Sequence, residues 1–271
     1  MANNKSYGYR DVVLLLREAG EQPDSRILVI GPGSVPDNLR GGLSTLLAAL
    51  RSTCKSLIAP AFTYQTMVYP PVGPEDNGVD YEAVTTVSTE AEFFGINLPA
   101  SPAVGPLAEV IRRAEGSSRS MHPILSFAGF NAQEMLETQT LEEPFAPIDA
   151  LSRAGGDVLL LGVDQTANAA LHLATQRAGR KQFVRWALTP DGVVECPAFP
   201  GCPKGFIAIE EKLHGVSQTA IAGSLRVQRI PLRDLIHAAS GWIREDPAAL
   251  LCSDADCLLC GAVRKSVQRQ N

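Results

Sequence analysis

A chain of 271 residues with 24 Lys and Arg against 29 Asp and Glu carries a formal net charge of −5 at neutral pH. With no Lys/Arg-rich run, that balance argues against nucleic acid and anionic membrane surfaces as partners, since both demand a basic face, and it suits a cationic or amine-bearing small molecule. At 45% hydrophobic and 20% charged residues the chain can bury one large core or a core plus a smaller lobe, and the opening "MANNKSYGYRD" has no signal-peptide apolar stretch, so a cytoplasmic protein without a membrane span is expected.

Taken in chain order, "YRDVVLLLREAG" (9–20) predicts a helix stopped by Gly20, and residues 26–30 predict a strand. "GGLSTLLAALRS" (41–52) predicts a helix and "SLIAPAF" (56–62) a strand. The Pro- and Gly-rich stretch 63–84 follows, read equally as a lid or substrate loop or as a disordered insertion. Further on come a helix in "PLAEVIRRAEG" (106–116), a strand in "HPILSFAG" (122–129) and a helix in "NAQEMLET" (131–138). "DVLLLGV" (157–163) is the clearest buried strand, and "TANAALHLATQRAG" (166–179) a helix closed by Gly179. Strands alternating with helices imply an α/β fold with a largely parallel, helix-covered sheet. Beyond Lys181 shorter, more polar strands (182–188, 192–196, 224–230) and helices near 204–213 and 232–243 suggest a smaller lobe. The expected division is an α/β core over 1–180 that carries the site and a lobe over 181–271.

Three features bear on chemistry. After the first strand, "ILVIGPGSVP" (27–36) offers Gly31 and Gly33 but puts Pro36 where a dinucleotide fingerprint needs its third glycine, and prolines 32 and 36 lack the N–H groups that cradle an anion. His122, at a strand edge in "RSMHPILSFAG", and His172, early in the helix after the strongest strand, stand where open α/β sheets place their sites. Either could equally be a hydrogen-bonded core histidine. The cysteines Cys252, Cys257 and Cys260 crowd "CSDADCLLC", a spacing that offers three thiolates from one turn; Cys202 is the favoured fourth ligand of a structural zinc and Cys196 the rival.

The motifs "SLIAPAFT" (56–63), "PLAEVIRR" (106–113), "RSMHPILSFAGFNA" (119–132), "DVLLLGVDQTANAALHLA" (157–174) and "GCPKGF" (201–206) together resemble the aminoglycoside 3-N-acetyltransferase family, in its order and over nearly the whole chain. The resemblance implies that fold and acetyl transfer from acetyl-CoA to an amine, with His172 matching the family's histidine base. His122, Arg119 and Ser120 would shape the site. The glutamate that assists the family's base is matched by Thr175, which leaves Asp164 and Asp149 as substitute carboxylates. Where relatives carry a histidine and two serines toward the CoA pyrophosphate, this chain has Ile30, Gly31 and Pro32, so Gly33 and Ser34 remain as the cofactor contacts; Ala146 replaces a common serine before Pro147. Some members also resemble this chain in a Cys or His set at the C-terminal position, implying a structural zinc. The leading expectation is a divergent acyltransferase acting on an amine-bearing small molecule in specialised metabolism. The alternatives are a repurposed fold that performs elimination or cyclisation without acetyl-CoA, as one subunit of a heteromer, and a non-catalytic binding partner; homo- and hetero-oligomers both stay open.

Overall fold

The computed structural model describes residues 6–84 and 90–269. Its frame is a seven-stranded sheet in the order β4–β5–β2–β1–β6–β10–β9. The three central strands, β2 (Ser56–Pro60), β1 (Arg26–Ile30) and β6 (Asp157–Leu161), run parallel. β5 (Phe127–Phe130) with β4 (Ser118–Arg119) on one side, and β10 (Leu225–Pro231) with β9 (Gln218–Ala222) on the other, join antiparallel. The expected α/β class with a helix-covered parallel centre is what the chain adopts.

The apolar runs of β1 and β6 have a direct physical reason. Successive strand residues point to opposite faces, so a strand covered on both sides must be apolar at every position. Leu28 and Ile30 of β1 and Val158 and Leu160 of β6 enter one core, whereas Ile27, Val29, Leu159 and Leu161 enter the other. The second core is covered by α1 (Tyr9–Glu18), α2 (Gly42–Thr53) and α3 (Pro106–Arg113); α5 (Ala146–Arg153), α6 (Ala169–Arg177) and α7 (Leu232–Glu245) cover the first. Helix α1 shows how sequence period becomes placement, since Val12, Leu15 and Leu16 fall on one stripe and are buried while Leu14 is exposed.

A separate three-stranded sheet is made by β3 (Met67–Val68), β7 (Phe183–Thr189) and β8 (Gly192–Phe199). The chain beyond residue 181 thus divides between the two sheets, with β9, β10 and α7 returning to the central one. Within the described part of stretch 63–84, a short 3₁₀ turn (Tyr64–Thr66) leads into β3, and Asn77 clamps β7 by donating to Val184 O (3.0 Å) and accepting from Val184 N (2.9 Å). The helix expected over 131–138 shortens to a single turn, α4 (Gln133–Leu136), and the one near 204–213 is 3₁₀ (Lys204–Lys212). A last helix, α8 (Leu258–Gln268), closes the chain, and no described helix is long and apolar enough to cross a membrane.

Candidate active site

Strand β1 has β2 on one side and β6 on the other, both parallel to it, so the chain departs from β1 in two directions and leaves a crevice beyond the strands' carboxyl ends. A cleft of about 200 Å³ lies there, lined by Ile30, Gly31, Phe62, Tyr64, Val163 and His172 among others. Gly31 sits at φ +87°, with Leu161 O only 2.5 Å from where a Cβ would be, so the turn out of β1 admits no side chain. Gly105, also at φ +87°, brings the start of α3 against Pro32 O. The loop therefore presents the Ile30 side chain and the bare backbone of Gly31 and Gly33 to the cleft, while Pro32 is buried and Ser34 is exposed.

His172 is held by helix α6, whose first turn is fixed by a buried polar chain. The Asn168 side chain accepts from Ala170 N and donates to Gln165 Oε1 (2.8 Å). Gln165 in turn donates to Glu210 (2.9 Å), which also accepts from Gln228 of β10 (3.0 Å). The imidazole lies between Phe145, stacked at 5.7 Å, and Phe206, tilted at 5.0 Å. Burial pushes its pKa down to about 4, and its buried Nδ1 has no hydrogen-bond partner among the described residues. The ring is neutral at physiological pH, as a proton acceptor must be.

None of the carboxylates or hydroxyls expected beside His172 supports its ring. The Thr175 hydroxyl donates to the backbone carbonyl of His172 (2.8 Å), one turn back along the helix. Asp149 is bound by Arg153 (2.8 Å) and Arg177, and Asp164 caps the turn after β6 by accepting from Thr166 N (2.9 Å). Each of these groups is thus engaged by a partner other than the imidazole.

Arg119, Ser120 and His122 are likewise occupied, behind the cleft rather than in it. Arg119 donates to Ile96 O (2.9 Å), Leu98 O, Ala61 O (2.9 Å) and Ser126 Oγ (3.1 Å), which leaves it no donor set aimed at an anion; burial lowers its pKa to about 10. The Ser120 hydroxyl accepts from Phe127 N (2.8 Å). His122 is buried, and its Nδ1 accepts from Ile124 N (3.1 Å) and Leu125 N (3.0 Å), fixing the turn whose Pro123 carbonyl receives the hydroxyls of Thr63 and Thr66. Those two threonines flank Tyr64, so His122 supports the cleft wall from the far side. Burial pushes its pKa down to about 4. Sequence reasoning missed the aromatic groups around the site, Phe62, Tyr64, Phe145 and Phe206, because a buried aromatic reads the same in any core.

The cysteines assemble as their spacing implied. Cys202, Cys252, Cys257 and Cys260 bring their sulfurs within 4.8 Å of one another, with Cys252 and Cys260 at 3.4 Å. Cys196 is buried in β8 and stands outside this group, so Cys202 is the fourth member.

The profile of the family described as aminoglycoside 3-N-acetyltransferase matches residues 34–244. The chain belongs to that family. Among its relatives, aminoglycoside N(3)-acetyltransferase VII of Streptomyces paromomycinus is 25% identical, over 76% of this chain and 80% of the relative. Among solved structures, the apoenzyme of aminoglycoside acetyltransferase AAC(3)-IVa superposes with TM-score 0.79 at 24% identity, covering 97% of this chain and 99% of the other. A binary complex of AAC-IIIb with CoASH matches at TM-score 0.71 and 20% identity, over 89% and 97%. At these identities the two structures establish the fold, and family membership rests on the profile.

Proposed function

We propose that this protein transfers an acyl group from acetyl-CoA to an amine of a small molecule in specialised metabolism, with His172 as the base. The observation that carries the reading is a neutral imidazole at the cleft beyond the parallel strands, in a chain of this family. The relative solved with CoASH supports a CoA thioester as donor. His172 would take a proton from the substrate ammonium so that the free amine attacks the thioester carbonyl, the C–N bond forming and the C–S bond breaking with the thiolate as leaving group. Tyr64, whose phenol is held protonated by burial with its pKa raised to about 12, lines the same cleft and can donate to the acyl oxygen. With its pKa near 4 and no carboxylate partner, His172 is a weak base, and slow turnover is expected.

The second reading, a repurposed site without acetyl-CoA, is favoured by the loop Ile30-Gly31-Pro32, which supplies neither hydroxyls nor the N–H of a residue at Pro32. Isothermal titration separates the two. Micromolar binding of acetyl-CoA that survives in His172→Ala, with acetylation lost in that variant, is the expected result. Absence of binding at millimolar acetyl-CoA overturns acyl transfer from this donor.

The four thiols fit a structural zinc. Zn–S bonds of about 2.3 Å place tetrahedral sulfurs about 3.8 Å apart, within what this cluster already spans. Cys202, Cys252, Cys257 and Cys260 would hold the ion in a closed four-sulfur site, which staples the C-terminal helix and takes no part in the chemistry. Metal analysis of the purified protein, one zinc per chain expected, tests this.

A further inference from the structure

The sulfur cluster and the His172 imidazole lie on opposite sides of one short loop. Cys202 begins it, and it runs into the 3₁₀ helix Lys204–Lys212, whose first turn carries Phe206. The loop is pinned at each step. Lys204 N donates to the Cys202 sulfur (3.4 Å), and the Lys204 ammonium pairs with Asp254 at 3.5 Å. The backbone of Gly205 lies so close to residues 250 and 251 that a Cβ there would meet Leu250 O and Leu251 C at 2.5 Å. Pro203 lines the cleft, and the Phe206 ring packs on the imidazole at 5.0 Å. A cavity of about 10 Å³ is bordered by His172, Phe206, Cys202 and Cys260, room for one water at most.

We infer that Phe206 is a positioning residue for His172, and that the four-cysteine cluster sets the position of Phe206 through the loop it anchors at Cys202. The physical basis is that an imidazole with no hydrogen bond on Nδ1 is oriented by packing alone. Two aromatic rings do this, both in the main core: Phe145 just before α5, and Phe206 in the first turn of the 3₁₀ helix, which is entered from a segment whose fixed points are the Cys202 sulfur and the chain just before Cys252. Loss of the metal would release that loop. Phe206 would then swing from the ring and let water reach it. The cluster would thus act on the site without touching a reactant. This rests on the zinc reading for what holds the loop and on the His172 reading for what the loop serves.

The test uses the intact protein, with metal content and free thiols measured alongside the ring-proton NMR signals of His172, identified by their loss in His172→Ala. There are only four histidines to resolve. The expected result is that Phe206→Leu keeps its metal and thiols yet shifts the His172 ring signals, through the lost ring current, and raises the rate of His172 modification by diethylpyrocarbonate several-fold. Chelation of the wild-type protein and Cys202→Ser should produce the same two changes. If chelated protein and Cys202→Ser lose thermal stability while the His172 signals and modification rate stay those of the wild type, the cluster is a staple only and the inference fails. If Phe206→Leu leaves both readouts unchanged, Phe206 positions nothing. A protein purified with four free thiols and no metal overturns the zinc reading separately, and Cys202→Ser then still decides whether the cysteine loop orients the ring. Should Cys202→Ser not fold, chelation supplies the same comparison.

Discussion

An imidazole that accepts two backbone N–H groups through Nδ1 has a single neutral form, with its proton on Nε2, and cannot gain a second proton without losing both bonds. His122 is in that state, buried, with Nε2 unpartnered. His122→Ala should leave two buried N–H groups without acceptors and cost on the order of 3 kcal/mol in urea unfolding at pH 7. His122→Asn, whose side-chain oxygen can accept in the same turn, should cost markedly less. The histidine also sets a pH dependence. Its pKa is about 4 folded against an ordinary 6.5, so between those values the unfolded chain binds protons that the native one refuses. Stability should fall as pH drops from 6.5 toward 4, by on the order of 3 kcal/mol from this residue alone, and the slope should be shallower in His122→Asn. Glu21 has the opposite sign. It is 1% exposed, and burial outweighs Arg229 at 3.5 Å to raise its pKa to about 7. Stability from this group is full below its ordinary 4.5 and is lost as pH rises through 7. Glu21→Gln should therefore raise Tm at pH 8 and leave it nearly unchanged at pH 4, since Arg229 keeps Asp157 at 2.7 Å.

Among the elements, Arg119 decides more than its exposure suggests. Its guanidinium joins segment 96–98 to the end of β2 through carbonyls of Ile96, Leu98 and Ala61, and lies 5.4 Å from the Phe94 ring. The same segment runs on to Ser101, which donates to Phe62 O, and to Ala103 and Val104 on the cleft wall. Arg119→Ala should release residues 94–104 to fast amide hydrogen exchange while β1 and β6 keep their protection. An unchanged exchange pattern would mean that other contacts hold the wall. Elements with an apolar pattern of their own were legible from sequence: β1 and β6 as short unbroken apolar runs, and α1 as one buried stripe. Elements whose residues serve another purpose were not. Helix α5 begins with Ala146-Pro147 and has only eight residues, and α8 is written over the cysteine motif, so turn and metal signals masked the helical period. The two-residue strands β3 and β4 exist only through their partners and carry no pattern of their own.

At the scale of the whole molecule, what the sequence exposed was chemistry, and what it concealed was allegiance. The cysteine spacing and the family resemblance pointed to the four thiols and His172, whereas Asp149, Asp164 and Thr175 bond partners two to four residues away and Arg119 bonds carbonyls that only tertiary contact brings near. Phe145 and Phe206 lie 27 residues before and 34 residues after His172, and nothing local marks them as its walls. The same reasoning predicts how the C-terminal tail behaves. Helix α8 meets the rest of the protein through a small apolar cluster in which Phe183, Ala262 and Val263 are the buried members, too little to hold eleven residues of helix against their conformational entropy. Its further attachment comes from the cysteine cluster, from Arg264, which donates to Cys252 O, and from Lys265 and Arg269, which pair with Asp76. Chelation of the zinc-loaded protein should therefore lower Tm by at least about 5 °C, equivalent to a few kcal/mol for a domain of this size. Limited proteolysis should then cut first between residues 246 and 258, with the central sheet intact. A chelated protein whose tail resists protease as well as the loaded form would show that packing alone suffices, and the metal would then have no structural work to do.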